Sequence, residues 1–167
     1  MKPTPPPPSV FRPGRHLEVM DDPMHDPYFV REKLAEPAAC RDCGAVFHGG
    51  RWQWLVAPEH AHLTRCPACG RIHDDMPAGW VTMEGEFAHA HAAELLELAR
   101  NLELREKAEH PLQRIIAVTQ EADKVLITTT GLNLARGIGE ALQHAYKGKL
   151  DLHYSPDEYL LRVSWRR

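Results

Sequence analysis

Two short strings decide the reading of this chain: Cys40-Arg41-Asp42-Cys43-Gly44 and Cys66-Pro67-Ala68-Cys69-Gly70. Each is a C-x-x-C pair followed by glycine, and 22 residues lie between the pairs. Four thiolates delivered this way suit a tetrahedral Zn²⁺ ion. Each tight turn supplies two sulfurs, and its backbone N–H groups can donate to them. The following glycine permits the positive φ that closes such a turn. A segment this small cannot bury enough apolar surface to fold alone, so metal binding supplies folding energy. Cys40, Cys43, Cys66 and Cys69 are therefore the candidate ligands of one structural zinc ion.

Other readings of the four cysteines compete with this one. A single C-x-x-C can be a redox dithiol, but two pairs without a thioredoxin-like context weigh against it. Iron can occupy the same four thiolates. Structural disulfides do not suit the reducing cytoplasm. Four sulfurs leave no open coordination position, which argues against catalytic zinc. His48, His60, His62 and His73 lie near the pairs and read as surface or supporting groups.

Between the pairs, Ala45–His48 and Arg51–Val56 flank Gly49-Gly50, a hairpin with a primed two-residue turn. Trp52 and Trp54 fall on one face of the second strand, with Arg51 and Gln53 on the other. The tryptophans read first as a mini-core. In the sharper reading one of them, together with Arg51, Arg65 and Arg71, meets bases or phosphates.

On the N-terminal side, residues 1–37 are rich in Pro, Asp, His and Arg and lack a sustained apolar period. They read as a disordered arm. His25-Asp26-Pro27-Tyr28-Phe29 is the part of it expected to dock. No apolar run has the length of a signal peptide or a membrane span, so the expected compartment is the cytoplasm.

On the C-terminal side, Phe87 to about Glu109 has helical spacing, ended by Pro111. Arg114–Thr119 and Lys124–Thr130 read as a hairpin, and Leu132–Tyr146 as a second helix stopped near Gly148. Leu150–Tyr154 and Tyr159–Trp165 alternate as two more strands about Ser155-Pro156-Asp157. The Thr128–Thr130 hydroxyls are expected to cap the second helix, whose Arg136 lies one turn in. Asp151, His153, Arg162, Ser164 and Arg166 share the polar face of the last two strands, a modest basic platform with Arg114 and Arg167 near it. The predicted class is α+β. A zinc-ribbon or treble-clef-like module over residues 38–82 precedes an α-ββ-α-ββ antiparallel sandwich over 83–167.

The 167 residues carry a net charge of −3, which excludes a histone-like polycation. The charge is unevenly spread: +2 over residues 40–73, −6 over 74–110 and +2 over 111–167. Any contact with RNA therefore uses a local patch. No P-loop, nucleophile elbow or H-E-x-x-H string is present, so no catalytic set emerges.

The strings Cys40-Arg-Asp-Cys-Gly-Ala-Val-Phe-His-Gly-Gly-Arg-Trp-Gln-Trp54, Cys66-Pro-Ala-Cys69 and Pro77-Ala78-Gly79 resemble an uncharacterised family of small bacterial zinc-ribbon proteins. So do His110-Pro-Leu-Gln-Arg-Ile115 and the run from Thr128 through Gly131 to Leu142, and the likeness spans about residues 25–166. More distantly, the order of modules and the cysteine pairs are similar to the N-terminal part of the archaeal and eukaryotic large-ribosomal-subunit nuclear export adaptor. That likeness implies a role at RNA or the ribosome. The expected function is thus a zinc-binding cytoplasmic adaptor contacting RNA or the ribosome, through Arg51, Trp52, Trp54, Arg65, Arg71, Arg136, Arg162 and Arg166. The rivals are a protein-interaction module and a thiol redox switch.

Overall fold

The computed structural model describes residues 26–30 and 33–167. The predicted arm over 1–37 falls largely outside the described residues. Among the described residues the fold is α+β, with four α-helices and two sheets.

The first sheet is small. It holds β1 (Ala38–Cys40), β2 (Val46–His48), β3 (Arg51–Gln53) and β4 (His62–Thr64), in the order β3-β2-β1-β4. The predicted hairpin is present: His48 pairs with Arg51, and Gly49 and Gly50 both have positive φ, as a primed turn requires. Both glycine N–H groups donate to the Glu36 carboxylate. A short helix, α1 (Pro67–Asp74), follows β4 and was not expected from the sequence. Cys66 is its N-cap and Pro67 its first residue, where a missing N–H costs nothing.

The second sheet has the order β6-β7-β5-β9-β8: β5 (Gly79–Glu84), β6 (Ile115–Gln120), β7 (Lys124–Thr129), β8 (Lys149–Ser155) and β9 (Leu160–Arg166). The predicted α-ββ-α-ββ order is present, but β5 is added in front of it and becomes the central strand. Gly79–Glu84 thus belongs to the second sheet, across the expected boundary at residue 82. The alternation of Val81 and Met83 inward with Trp80, Thr82 and Glu84 outward explains why: it is half of a layer that only the larger sheet completes. β5 runs antiparallel to β7 and parallel to β9, so one parallel pair makes the sheet mixed.

The predicted single helix from Phe87 is two: α2 (Glu86–Ala90) and α3 (Ala92–Glu109), broken at His91, whose ring stacks on Phe87 at 4.2 Å. α4 (Leu132–Tyr146) matches its prediction. It buries Leu134, Ala135, Ile138 and Leu142 against Val81, Ile127, Leu161, Val163 and Trp165, the centre of the core. Gly139 sits where α4 crosses the sheet; a Cβ there would lie 2.5 Å from a Val163 methyl, so the mid-helix glycine serves packing.

The expected hydroxyl cap of α4 is not formed. Gln113 reaches over instead, its side-chain oxygen accepting from Leu134 N at 3.0 Å. The Thr130 hydroxyl accepts from Arg114 N and donates to the Leu112 carbonyl, and that of Thr129 donates to the Gly131 carbonyl. The Thr130 hydroxyl is held by the segment leading into β6 and that of Thr129 by the Gly131 carbonyl, so neither caps the helix amides.

Candidate metal centre

The first cysteine pair is built by β1 and the turn after it. Cys40 ends β1; its N–H donates to Ala45 O, and Gly44 N donates back to Cys40 O. Gly44 has a φ of 80°, the left-handed value expected of it. The second pair is built by the start of α1. Cys66 Sγ accepts from Cys69 N at 3.4 Å, so the sulfur does the work of a capping oxygen. A helix N-terminus also favours negative charge, which suits a thiolate there. β1 and β4 pair in parallel, and Cys66 N donates to Cys40 Sγ at 3.2 Å, locking the two turns face to face. All four Sγ atoms lie within 4.8 Å of one another, a group that could hold a metal ion.

The thiols stand in unequal environments. Burial pushes Cys66 and Cys69 up from the ordinary thiol value. Burial acts the same way on Cys40, but backbone N–H donors led by that of Cys66 outweigh it and bring the thiol down to about 7. A buried group of four sulfurs needs compensating positive charge, from a metal or from the protein.

Part of that charge comes from the second module. Arg114, at the entry to β6 and only 7% exposed, reaches into the cluster. Its Nη1 donates to Cys69 Sγ at 3.2 Å and its Nη2 to Cys43 Sγ at 3.1 Å, while its Nε is held by Pro111 O at 2.7 Å. Burial disfavours the guanidinium charge, but the sulfur contacts prevail and keep it protonated. Arg114 was expected near an exposed platform; it is buried because the two cysteine turns close over it. Trp54 completes this arrangement. Its ring lies 5.8 Å from the Arg114 guanidinium, and its indole N–H donates to Lys107 O at 2.7 Å.

Arg71 is also displaced from its expected role. Its side chain is buried, pairs with Asp26 at 2.6 Å, donates to Met76 O and lies 4.5 Å under the Tyr28 ring. It cannot meet a nucleic acid; it anchors the stretch Asp26–Val30, which docks as expected, with the Tyr28 hydroxyl donating to Asp74. Arg65 pairs with Asp42 beside the cysteines. Trp52 packs on the cysteine cluster and against Phe47 at 5.5 Å, the mini-core reading. Arg51 and Trp52 line one cavity of about 1070 Å³ with the distant Arg136 and with Tyr28, Phe47 and Glu140; Arg136 pairs with Glu140 inside it.

Arg162 and Arg166 project from β9 on the outer face of the second sheet, as expected. Arg162 pairs with the exposed Glu158 and Arg166 with the half-buried Glu84. The structure does not bring them together with Arg51 or Arg65. The same face carries Trp80, given no role from the sequence because no strand is read over 79–84 there; the alternation with Val81 and Met83 was the available signal. Among the described residues no helix is long and apolar enough to cross a membrane.

Comparison of the chain with protein-family models, with curated proteins and with solved structures finds no match.

Proposed function

We propose that this chain is a non-catalytic cytoplasmic adaptor in which one structural Zn²⁺, held by Cys40, Cys43, Cys66 and Cys69, staples the small module to the α+β domain, and that the stapled unit contacts RNA at the ribosome. The observation that carries the zinc reading is the set of four sulfurs within 4.8 Å, each pair presented by its own turn. Four thiolates around Zn²⁺ leave a net charge of −2, and the Arg114 guanidinium offsets half of it. Such a closed, all-sulfur site suits structure rather than catalysis. Zinc is favoured over iron as the commoner occupant.

The RNA reading draws on the resemblance to the bacterial zinc-ribbon proteins and the ribosomal export adaptor, and on the cations of the outer sheet face. The ion pairs of Arg162 and Arg166 are exposed and weakly held, so phosphate can replace their partners. Elemental analysis of the purified chain tests the first part, with one zinc per chain expected. Sucrose-gradient sedimentation of a cell lysate at low salt tests the second. Co-migration with ribosomal subunits is expected, and a protein wholly at the top of the gradient would sink it.

A further inference from the structure

We propose that the uncovered face of the second sheet is a binding platform for unpaired RNA, with Trp80 as the stacking residue and Arg162 and His153 beside it. This deepens the adaptor reading and rests on it.

Helices pack on one side of the sheet; the other side is open along β5, β9 and β8 but closed at Thr128 on β7, which is buried. α4 and α2 pack on the face that carries Val81, Ile127 and Val163, with α3 against α4, while residues of alternate parity on β5, β8, β9 and β6 remain exposed or half-buried. The registers fix what stands on that open face. One row across the strands reads Ala117, Thr128, Trp80, Arg162, His153. The next reads Thr119, Leu126, Thr82, Ser164, Asp151. Trp80 therefore sits on the central strand, 38% exposed, with a cation on the neighbouring strand and an imidazole one strand further. Strands lie about 4.8 Å apart, so Trp80 and His153 are separated by about 10 Å across the sheet.

The chemistry around Trp80 selects among partners. An apolar protein surface needs a contiguous apolar patch. Here the solvent-facing neighbours in the register are Thr82, Ser164 and Arg162, and covering them with an apolar partner would strand the two hydroxyls and the guanidinium. A base needs the opposite: one aromatic face to stack on, hydroxyls and amides at its edge, and cations for the phosphates on either side. The cations on this face are Arg162, Arg166, Lys149 and Lys124, paired with Glu158, Glu84, Asp151 and Glu121 respectively in surface ion pairs whose carboxylates phosphates can replace. A flat sheet cannot enter the deep, narrow groove of an A-form duplex, whereas unpaired nucleotides can lie across it.

The test is titration of fluorescently labelled single-stranded oligoribonucleotides with the full chain, followed by anisotropy at low salt, for wild type, Trp80→Ala, Trp80→Phe and Arg162→Ala. Trp80→Ala is expected to weaken binding about tenfold, which is about 1.4 kcal/mol at that energy per decade and within the range for one stacked base. Trp80→Phe keeps a ring and is expected to stay within about threefold of wild type, which a general loss of folding would not do. Arg162→Ala is expected to weaken binding and to flatten its salt dependence by about one phosphate contact. If wild type binds RNA and Trp80→Ala binds equally well, the platform is wrong while the adaptor reading stands. If the chain co-sediments with ribosomes yet binds no oligonucleotide, the platform is again wrong, and the adaptor works through another surface. Preference for duplex over single-stranded RNA would also overturn it.

Discussion

Arg114 Nη2 lies 3.1 Å from Cys43 Sγ across 71 residues of sequence, so the side chain that opens the second sheet is also part of the wall of the metal centre. The contact is buried and repeated at Cys69. It makes each module part of the other's folding problem: the sulfurs lose a compensating charge without Arg114, and Arg114 is a buried cation without the sulfurs.

Replacing Arg114 with alanine is expected to destabilise the metal-loaded chain by about 3–5 kcal/mol, the usual cost of leaving one side of a buried charged contact alone. Lysine keeps the charge but not the planar fork that reaches two sulfurs and Pro111 O together, and is expected to recover only part of the loss. Urea denaturation followed by near-ultraviolet dichroism measures both; unchanged midpoints would show that the contact carries no stability.

Removing the metal with a strong chelator is expected to expose all four thiols to titration and to loosen residues 38–76 before the larger core. The reason is that the cluster around Cys40, Cys66 and Cys69 contains few other buried side chains, whereas the main core is rich in them. Hydrogen exchange with and without chelator checks the order. Equal protection of both regions after metal removal would contradict it.

Two glycines on α4 are expected to respond in opposite directions. Gly139→Ala places a methyl 2.5 Å from Val163 Cγ1 and 2.9 Å from Leu150 Cδ1, inside the core, and is expected to cost about 1–3 kcal/mol by overpacking. At Gly137 the nearest atom is the end of Leu102 at 3.4 Å, so Gly137→Ala is expected to gain about 0.5–1 kcal/mol from helix propensity. Thermal melts of the pair give the comparison, and a shift of the same sign in both would refute the assigned packing.

Docking of Asp26–Val30 on α1 is expected to depend on Arg71. Asp26→Ala leaves Arg71 without its carboxylate and is expected to raise the rate of tryptic cleavage at Lys33 several-fold. The contact also has an acid limit. Hydrogen bonds from His73 and then Tyr28 hold the Asp74 carboxyl below its ordinary value. The stabilisation is therefore complete above the ordinary carboxylate range and is lost as pH falls through the depressed value. Cleavage at Lys33 by an acid-tolerant protease that is no faster at the acid end than at neutrality would count against this.

Much of the architecture was legible because it follows from local chemistry. The Gly49-Gly50 turn, α4, and the strands β6 to β9 are set by positive-φ glycines, a 3.6-residue apolar period and simple alternation. α1 was not, because the C-x-x-C signal masked the helix start; Pro67 directly after Cys66 was the cue. The break at His91 left no trace in the apolar spacing, since Phe87, Leu95, Leu98 and Leu102 stay in step across it.

What the sequence alone determined was the set of four cysteines, the Gly49-Gly50 turn, α4 and the strands β6 to β9, because cysteine spacing and hydrophobic period act over a few residues. Which elements met was decided only in three dimensions. The pairing of β5 with β9, the burial of Arg71 and Arg114, and the placing of Trp80 in one row with Arg162 and His153 all join residues dozens of positions apart. Such contacts arise from the closure of the whole core and from competition for a few buried charges and hydroxyls, and no local pattern encodes the winner.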